Sequence, residues 1–128
     1  MKNIILVTGG CGYIGSHTVI KLIENDFDVI IADDLSNSTI KTIDRIENIT
    51  KVRPVFINID FKEKDKVNAL FQDFHKIAAV IHFAAHKAVG ESVQNPLMYY
   101  QNNLTGLINL LVCAQKHHVN NLIFSSSA

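Results

Sequence analysis

No excess of either charge marks this chain. Lysine plus arginine and aspartate plus glutamate stand at 12 each, so there is no electrostatic footprint for nucleic acid or for an anionic membrane. Cysteine is scarce. Cys11 and Cys113 are its two copies, which excludes a disulfide framework and gives no sign of an oxidising compartment. Long hydrophobic runs are missing too: the N-terminal IILV run breaks at once into glycines, too short for a signal peptide or a membrane span. Internal repeats, low-complexity segments and linkers are absent. The expectation is a soluble cytoplasmic protein of one domain. With 128 residues it is large enough to bury about two-thirds of the surface its unfolded chain exposes.

What is present is alternation of short apolar runs with helical patterns. Residues 3–8 (NIILVT), 28–33 (DVIIAD), 55–60 (VFINID), 78–85 (AAVIHFAA) and 121–125 (NLIFS) are apolar runs of the kind a strand buried on both faces shows. Between them, Ile14, Val19, Leu22 and Ile23 fall at helical spacing, and Ile40, Ile43, Ile46 and Ile49 recur along one face from Ser38. Residues 62–74 place Val67, Leu70, Phe71 and Phe74 inward. Asn95-Pro96 is a strong helix start, with asparagine at the cap and proline where its missing N–H does no harm. The helix it opens, 96–117, is apolar around much of its circumference, which predicts burial on more than one side. Five strands alternating with four helices predict an α/β domain, a Rossmann-type doubly wound parallel sheet. Its ligand site is expected at the carboxyl ends of the strands, beside the first.

TGGCGYIG, residues 8–15, follows the first strand and opens the first helix. Gly9 permits the tight turn, Gly12 lets the backbone approach a pyrophosphate, and Gly15 allows close packing of helix on sheet. The helix N-terminus adds unpaired N–H groups and partial positive charge. Asp33 ends the second strand, where a carboxylate can accept from both hydroxyls of an adenosine ribose and repel a 2′-phosphate. That favours NAD over NADP. The other reading is that Asp33 or Asp34 caps a turn. Asp60, ending the third strand, carries the same pair of readings: a contact to adenine or a turn.

HFAAHKAVGESVQNPLMYYQNN (82–103), with TGGCGYIGSH and FSSSA, closely resembles the UDP-glucose 4-epimerases of the extended short-chain dehydrogenase/reductase group, from Lys2 to Ala128. That family uses NAD to interconvert UDP-glucose and UDP-galactose by way of a 4-keto sugar. The resemblance implies backbone contacts from Tyr13 and Ile14 to the pyrophosphate, and Asp33, Asn37 and Ser38 around the adenosine ribose. It places Asp60 and Phe61 beside the adenine. Phe83, Ala84, Ala85 and Lys87 line the cofactor, and Asn102 reaches in from the long helix. Ser127 is implied as the catalytic residue that bonds the sugar O4 and helps pass its proton; from the residues alone it is a polar strand end. Two departures fall beside the cofactor: Asp34 where asparagine is expected, and Ala85-His86 where Gly-Leu is common.

The family's base is a tyrosine in a Tyr-x-x-x-Lys pair. Tyr13, Tyr99 and Tyr100 are followed four positions on by His17, Asn103 and Leu104, so no such pair occurs here. The resemblance therefore implies residues 1–128 as an NAD-binding domain incomplete at its C-terminal end, without the substrate domain and inactive alone. The alternative is a truncated, non-catalytic NAD-binding module. The long helix packs against a partner in family dimers, which implies a homodimer through 96–117. No metal is expected: His82 and His86 straddle a strand end, where a four-residue spacing does not converge. His117-His118 suit a helix C-terminus. Cys11 reads as a small filler of the glycine turn or as a thiol acidified by the helix end.

Overall fold

The computed structural model describes residues 3–35, 40–83 and 96–124, without the side chains of residues 96, 99, 100, 102 and 103. In chain order the elements are β1 (Ile4–Thr8), α1 (Tyr13–Glu24), β2 (Asp28–Asp33), α2 (Lys41–Thr50), β3 (Val55–Asn58), α3 (Lys64–Asp73), β4 (Ile77–His82), α4 (Pro96–Lys116) and β5 (Leu122–Phe124). The five strands form one sheet in the order β3-β2-β1-β4-β5, and every pair is parallel. The chain builds outward from β1 in one direction, then returns to build from β1 in the other. This is the doubly wound arrangement, with its switch point between β1 and β4.

Side-chain alternation along the strands divides the core into two layers. Ile5, Val7, Val29 and Ile31 face α1 and α2, where they meet Val19, Ile43 and Ile46. Leu6, Ile30, Ala32 and Val80 face α3 and α4, against Val67, Leu70, Phe71, Leu110, Cys113 and Ala114. Each central strand is therefore apolar on both faces, which is why its sequence reads as a continuous run. Lys51 ends α2 in the left-handed region (φ 64°), its N–H donating to the Glu47 carbonyl at 2.8 Å.

Several predicted bounds shift. β3 stops at Asn58, two residues early, because Asp60 closes a turn: its Oδ1 accepts the Lys62 N–H at 2.9 Å and its carbonyl accepts the Glu63 N–H at 3.0 Å. The same turn delays α3 to Lys64. β4 spans Ile77–His82 and does not include Phe83. The long helix begins at Pro96, as expected, but the prediction of burial on several sides needs correction. One face of α4 (Gly106, Asn109, Leu110, Cys113, Ala114) is buried, while Leu97, Leu104, Ile108 and Val112 are exposed. Among the described residues, α3 and the sheet are what cover the buried face.

Candidate functional site

At the carboxyl edge of the sheet, β1 passes through residues 9–12 into α1. Gly9 lies at φ 74°, a left-handed conformation that strains any side chain. Its N–H continues the β2 ladder onto the Ala32 carbonyl at 2.9 Å, and its own carbonyl accepts the Gly12 N–H at 3.1 Å. A Cβ on Gly15 would stand 2.3 Å from that Gly9 oxygen. The first turn of α1 can therefore approach the loop only without a side chain there. Gly12 differs: its Cβ would meet nothing nearer than the Gly9 oxygen at 3.4 Å, which leaves its outer side open.

Gly12 is also the N-cap of α1, with no side-chain cap and no acidic residue in the first turn. The leading N–H groups, with the positive end of the helix dipole, are thus left to whatever anion approaches. Tyr13 and Ile14 begin the helix, 79% and 53% exposed. The Tyr13 ring lies edge-on to His17 at 4.8 Å.

Asp33 ends β2 almost fully buried, at 7% exposure. One carboxylate oxygen accepts the Cys11 N–H at 3.2 Å and the other accepts the Leu35 N–H at 2.8 Å. It therefore caps the turn after β2 and also braces the glycine loop. These bonds fix its orientation, and an ionised carboxylate offers about four acceptor sites. The Cys11 thiol beside it is buried, and burial first, then the Asp33 charge, pushes its pKa up to about 12. Cys11 fills space and is not an acidified nucleophile. That outcome reverses the helix-end reading, because the loop carries the thiol into the core next to a carboxylate.

Asp60 and Phe61 follow β3 at the same edge. Asp60 is half-exposed, its Oδ2 lying 3.6 Å from Lys62 Nζ. Phe61 is buried in the α3–α4 layer, and Asn109 of α4 donates to the carbonyls of Phe61 and Lys62 at 2.8 and 3.1 Å. Phe83, after β4, donates its N–H to the Thr8 carbonyl at 2.8 Å. The edge thus brings together Gly9, Gly12, Tyr13, Ile14, Gly15, Asp33, Asp60, Phe61 and Phe83. Asn37, Ser38, Ala84, Ala85, Lys87 and Ser127 lie outside the described residues; Asn102 lies within α4, its side chain outside the description.

Two features of this edge are not legible in motif spacing. Gly10 is as constrained as its neighbours, since a Cβ there would stand 2.8 Å from Cγ2 of Ile31 on β2. Thr8 and His82 pair across β1 and β4, Oγ1 to Nδ1 at 2.6 Å. Both depend on strand register, which the sequence signals only through its alternating runs. Among the described residues no cluster of three or more histidine, cysteine or acidic side chains could hold a metal ion, and no helix is long and apolar enough to cross a membrane.

Sheet order, glycine turn and buried strand-end carboxylate define a Rossmann-type domain of the dinucleotide-binding class. The chain belongs to the GDP-mannose 4,6 dehydratase family, whose model matches residues 6–128. It is 49% identical over 127 residues to UDP-glucose 4-epimerase uge1 of Schizosaccharomyces pombe, covering 99% of this chain and 36% of that protein. The UDP-glucose-4-epimerase of Stenotrophomonas maltophila, solved with bound NAD and formylated UDP-arabinopyranose, superposes with a TM-score of 0.90 at 46% identity. That match covers 100% of this chain and 38% of the other. The Bifidobacterium longum enzyme, solved with NAD+ and UDP, gives a TM-score of 0.91 at 42% identity, over 98% and 37% of the two chains. This chain spans about a third of the length of these relatives.

Proposed function

We propose that this chain is the NAD-holding part of a UDP-glucose 4-epimerase, which interconverts UDP-glucose and UDP-galactose through a 4-keto sugar. The observation that carries the cofactor reading is the turn itself. An α1 N-terminus without a side-chain cap stands beside a buried Asp33 that is bonded to the same loop. Room at Gly12 fits a pyrophosphate against the N–H groups of Tyr13 and Ile14. Asp33 then accepts from the adenosine ribose hydroxyls and repels a 2′-phosphate, with Asn37 and Ser38 beside it. Asp60 and Phe61 flank the adenine, and Phe83, Ala84, Ala85, Lys87 and Asn102 line the rest of the cofactor. The chemistry a bound NAD supplies is reversible hydride acceptance from carbon 4 of the sugar. Ser127 bonds the sugar O4 and helps pass its proton.

Support for the sugar chemistry comes from the relatives, which are named as UDP-glucose 4-epimerases over the whole span of this chain. A Tyr-x-x-x-Lys base is not among the 128 residues. We therefore read the chain on its own as holding NAD without turning sugar over. The exposed apolar residues of α4 support a homodimer through that helix, and the two buried free cysteines suit the cytoplasm. The test is to incubate the full-length protein with UDP-galactose and separate the products. UDP-glucose is the expected product; a 4-keto-6-deoxy sugar would assign it instead to the dehydratase chemistry for which the family is named. The 128-residue chain alone is expected to form neither, and turnover by it would refute its inactivity.

A further inference from the structure

His82 ends β4 directly opposite Thr8, the last residue of β1. Thr8 is fully buried. Its hydroxyl oxygen lies 2.6 Å from His82 Nδ1 and also accepts the Phe83 N–H at 3.2 Å. Phe83 can only donate, so the one acceptor among these partners for the Thr8 hydroxyl proton is Nδ1. This arrangement fits the neutral His82 tautomer that carries its proton on Nε2, with Nδ1 accepting from the Thr8 hydroxyl. The pair stands where the chain divides: Thr8 leads into the glycine turn, and His82 leads into Phe83.

Resting on the NAD reading above, we infer that the Thr8–His82 hydrogen bond is a positioning pair. It fixes the distance between the phosphate turn after β1 and the cofactor-lining residues after β4, and it does so only while His82 is neutral. Protonation makes Nδ1 a donor. Thr8 Oγ1 must then accept from Nδ1, and its own proton loses the acceptor it had there. Among the described residues, nothing charged faces the imidazole: β1 presents Thr8, and β5 presents the Phe124 ring edge-on at 5.9 Å. Burial lowers the pKa of His82 from its ordinary 6.5. The neutral form therefore persists below the ordinary 6.5 and is lost as the pH falls through the lowered value.

The experiment measures NAD affinity of the cofactor-stripped full-length protein by calorimetry, between about pH 7.5 and about pH 5. In the unmodified protein, affinity is expected to weaken about threefold or more over that range. Asn offers an acceptor near the place of Nδ1 and does not titrate. His82→Asn is therefore expected to bind normally at the upper pH and to lose less on acidification. Thr8→Val is expected to bind about tenfold more weakly at every pH, whereas Thr8→Ser, which keeps the hydroxyl, is expected to bind normally. Failure of the unmodified protein to bind NAD at about pH 7.5 would overturn the cofactor reading itself. NAD binding with the same acid response in His82→Asn, or with full affinity in Thr8→Val, would overturn the positioning role.

Discussion

At the scale of single residues, glycines that look alike in the sequence carry different constraints. A Cβ at Gly15 would overlap the Gly9 carbonyl, and that backbone cannot move without opening the turn. Gly15→Ala is expected to destabilise the fold by about 1–3 kcal/mol, read from the urea midpoint. At Gly12 the added methyl meets only an ordinary contact. Gly12→Ala is expected to change stability by less than about 1 kcal/mol while sharply weakening NAD binding, because the methyl occupies the approach to the helix N-terminus. Equal loss of stability in both variants would show that Gly12 is structural. Asp33→Asn is expected to weaken NAD binding and to narrow the preference over NADP, since the repelling charge is gone; an unchanged ratio would separate Asp33 from the ribose. The G-x-x-G-x-x-G spacing made three of these positions legible. It was silent on Gly10 and on the Cys11 thiol, whose constraints come from Ile31 and Asp33, more than 20 residues away in sequence.

At the scale of elements, apolar periodicity located each strand and helix, while local turn chemistry moved their ends. Asp60 shows why. Its side chain closes a turn at a point where the sequence still reads as strand, a choice made by hydrogen bonds that hydrophobic pattern does not encode. The α4 helix shows a second limit. Its apolar circumference was legible, but not which stripe is covered within these 128 residues. Asn109 lies on the covered stripe and ties α4 to the loop after β3. Asn109→Ala removes both bonds, including the buried one to the Phe61 carbonyl, and is expected to cost about 1–3 kcal/mol, measured by urea denaturation. On the other stripe, Leu104→Lys with Ile108→Lys is expected to leave folding within about 1 kcal/mol of the parent. The same pair should abolish self-association in sedimentation velocity. Unchanged association would remove α4 from the proposed dimer.

For the whole molecule, alternation of strands and helices was enough to predict the doubly wound sheet, because a right-handed parallel crossover leaves few other arrangements. The order β3-β2-β1-β4-β5 then places the described strand ends that carry the glycine turn, Asp33, Asp60 and Phe83 on one edge. That convergence joins Asp33 to the glycine turn through the Cys11 N–H, and β1 to β4 through Thr8 and His82. It also gives the fold an acid limit. The pKa of His82 is lower in the folded state, so its contribution to stability is complete above its ordinary 6.5 and is lost as pH falls through the folded value. The roles given to Asn37, Ser38, Ala84, Ala85, Lys87 and Ser127 rest on resemblance, because these residues lie outside the described ones. The NAD site is tested by a calorimetric titration of the cofactor-stripped full-length protein with NAD and, separately, with NADP. One NAD per chain, with NADP at least about tenfold weaker, is the expected result. No binding of NAD, or equal binding of the two, would contradict the assignment of Asp33 and the glycine turn to an NAD site.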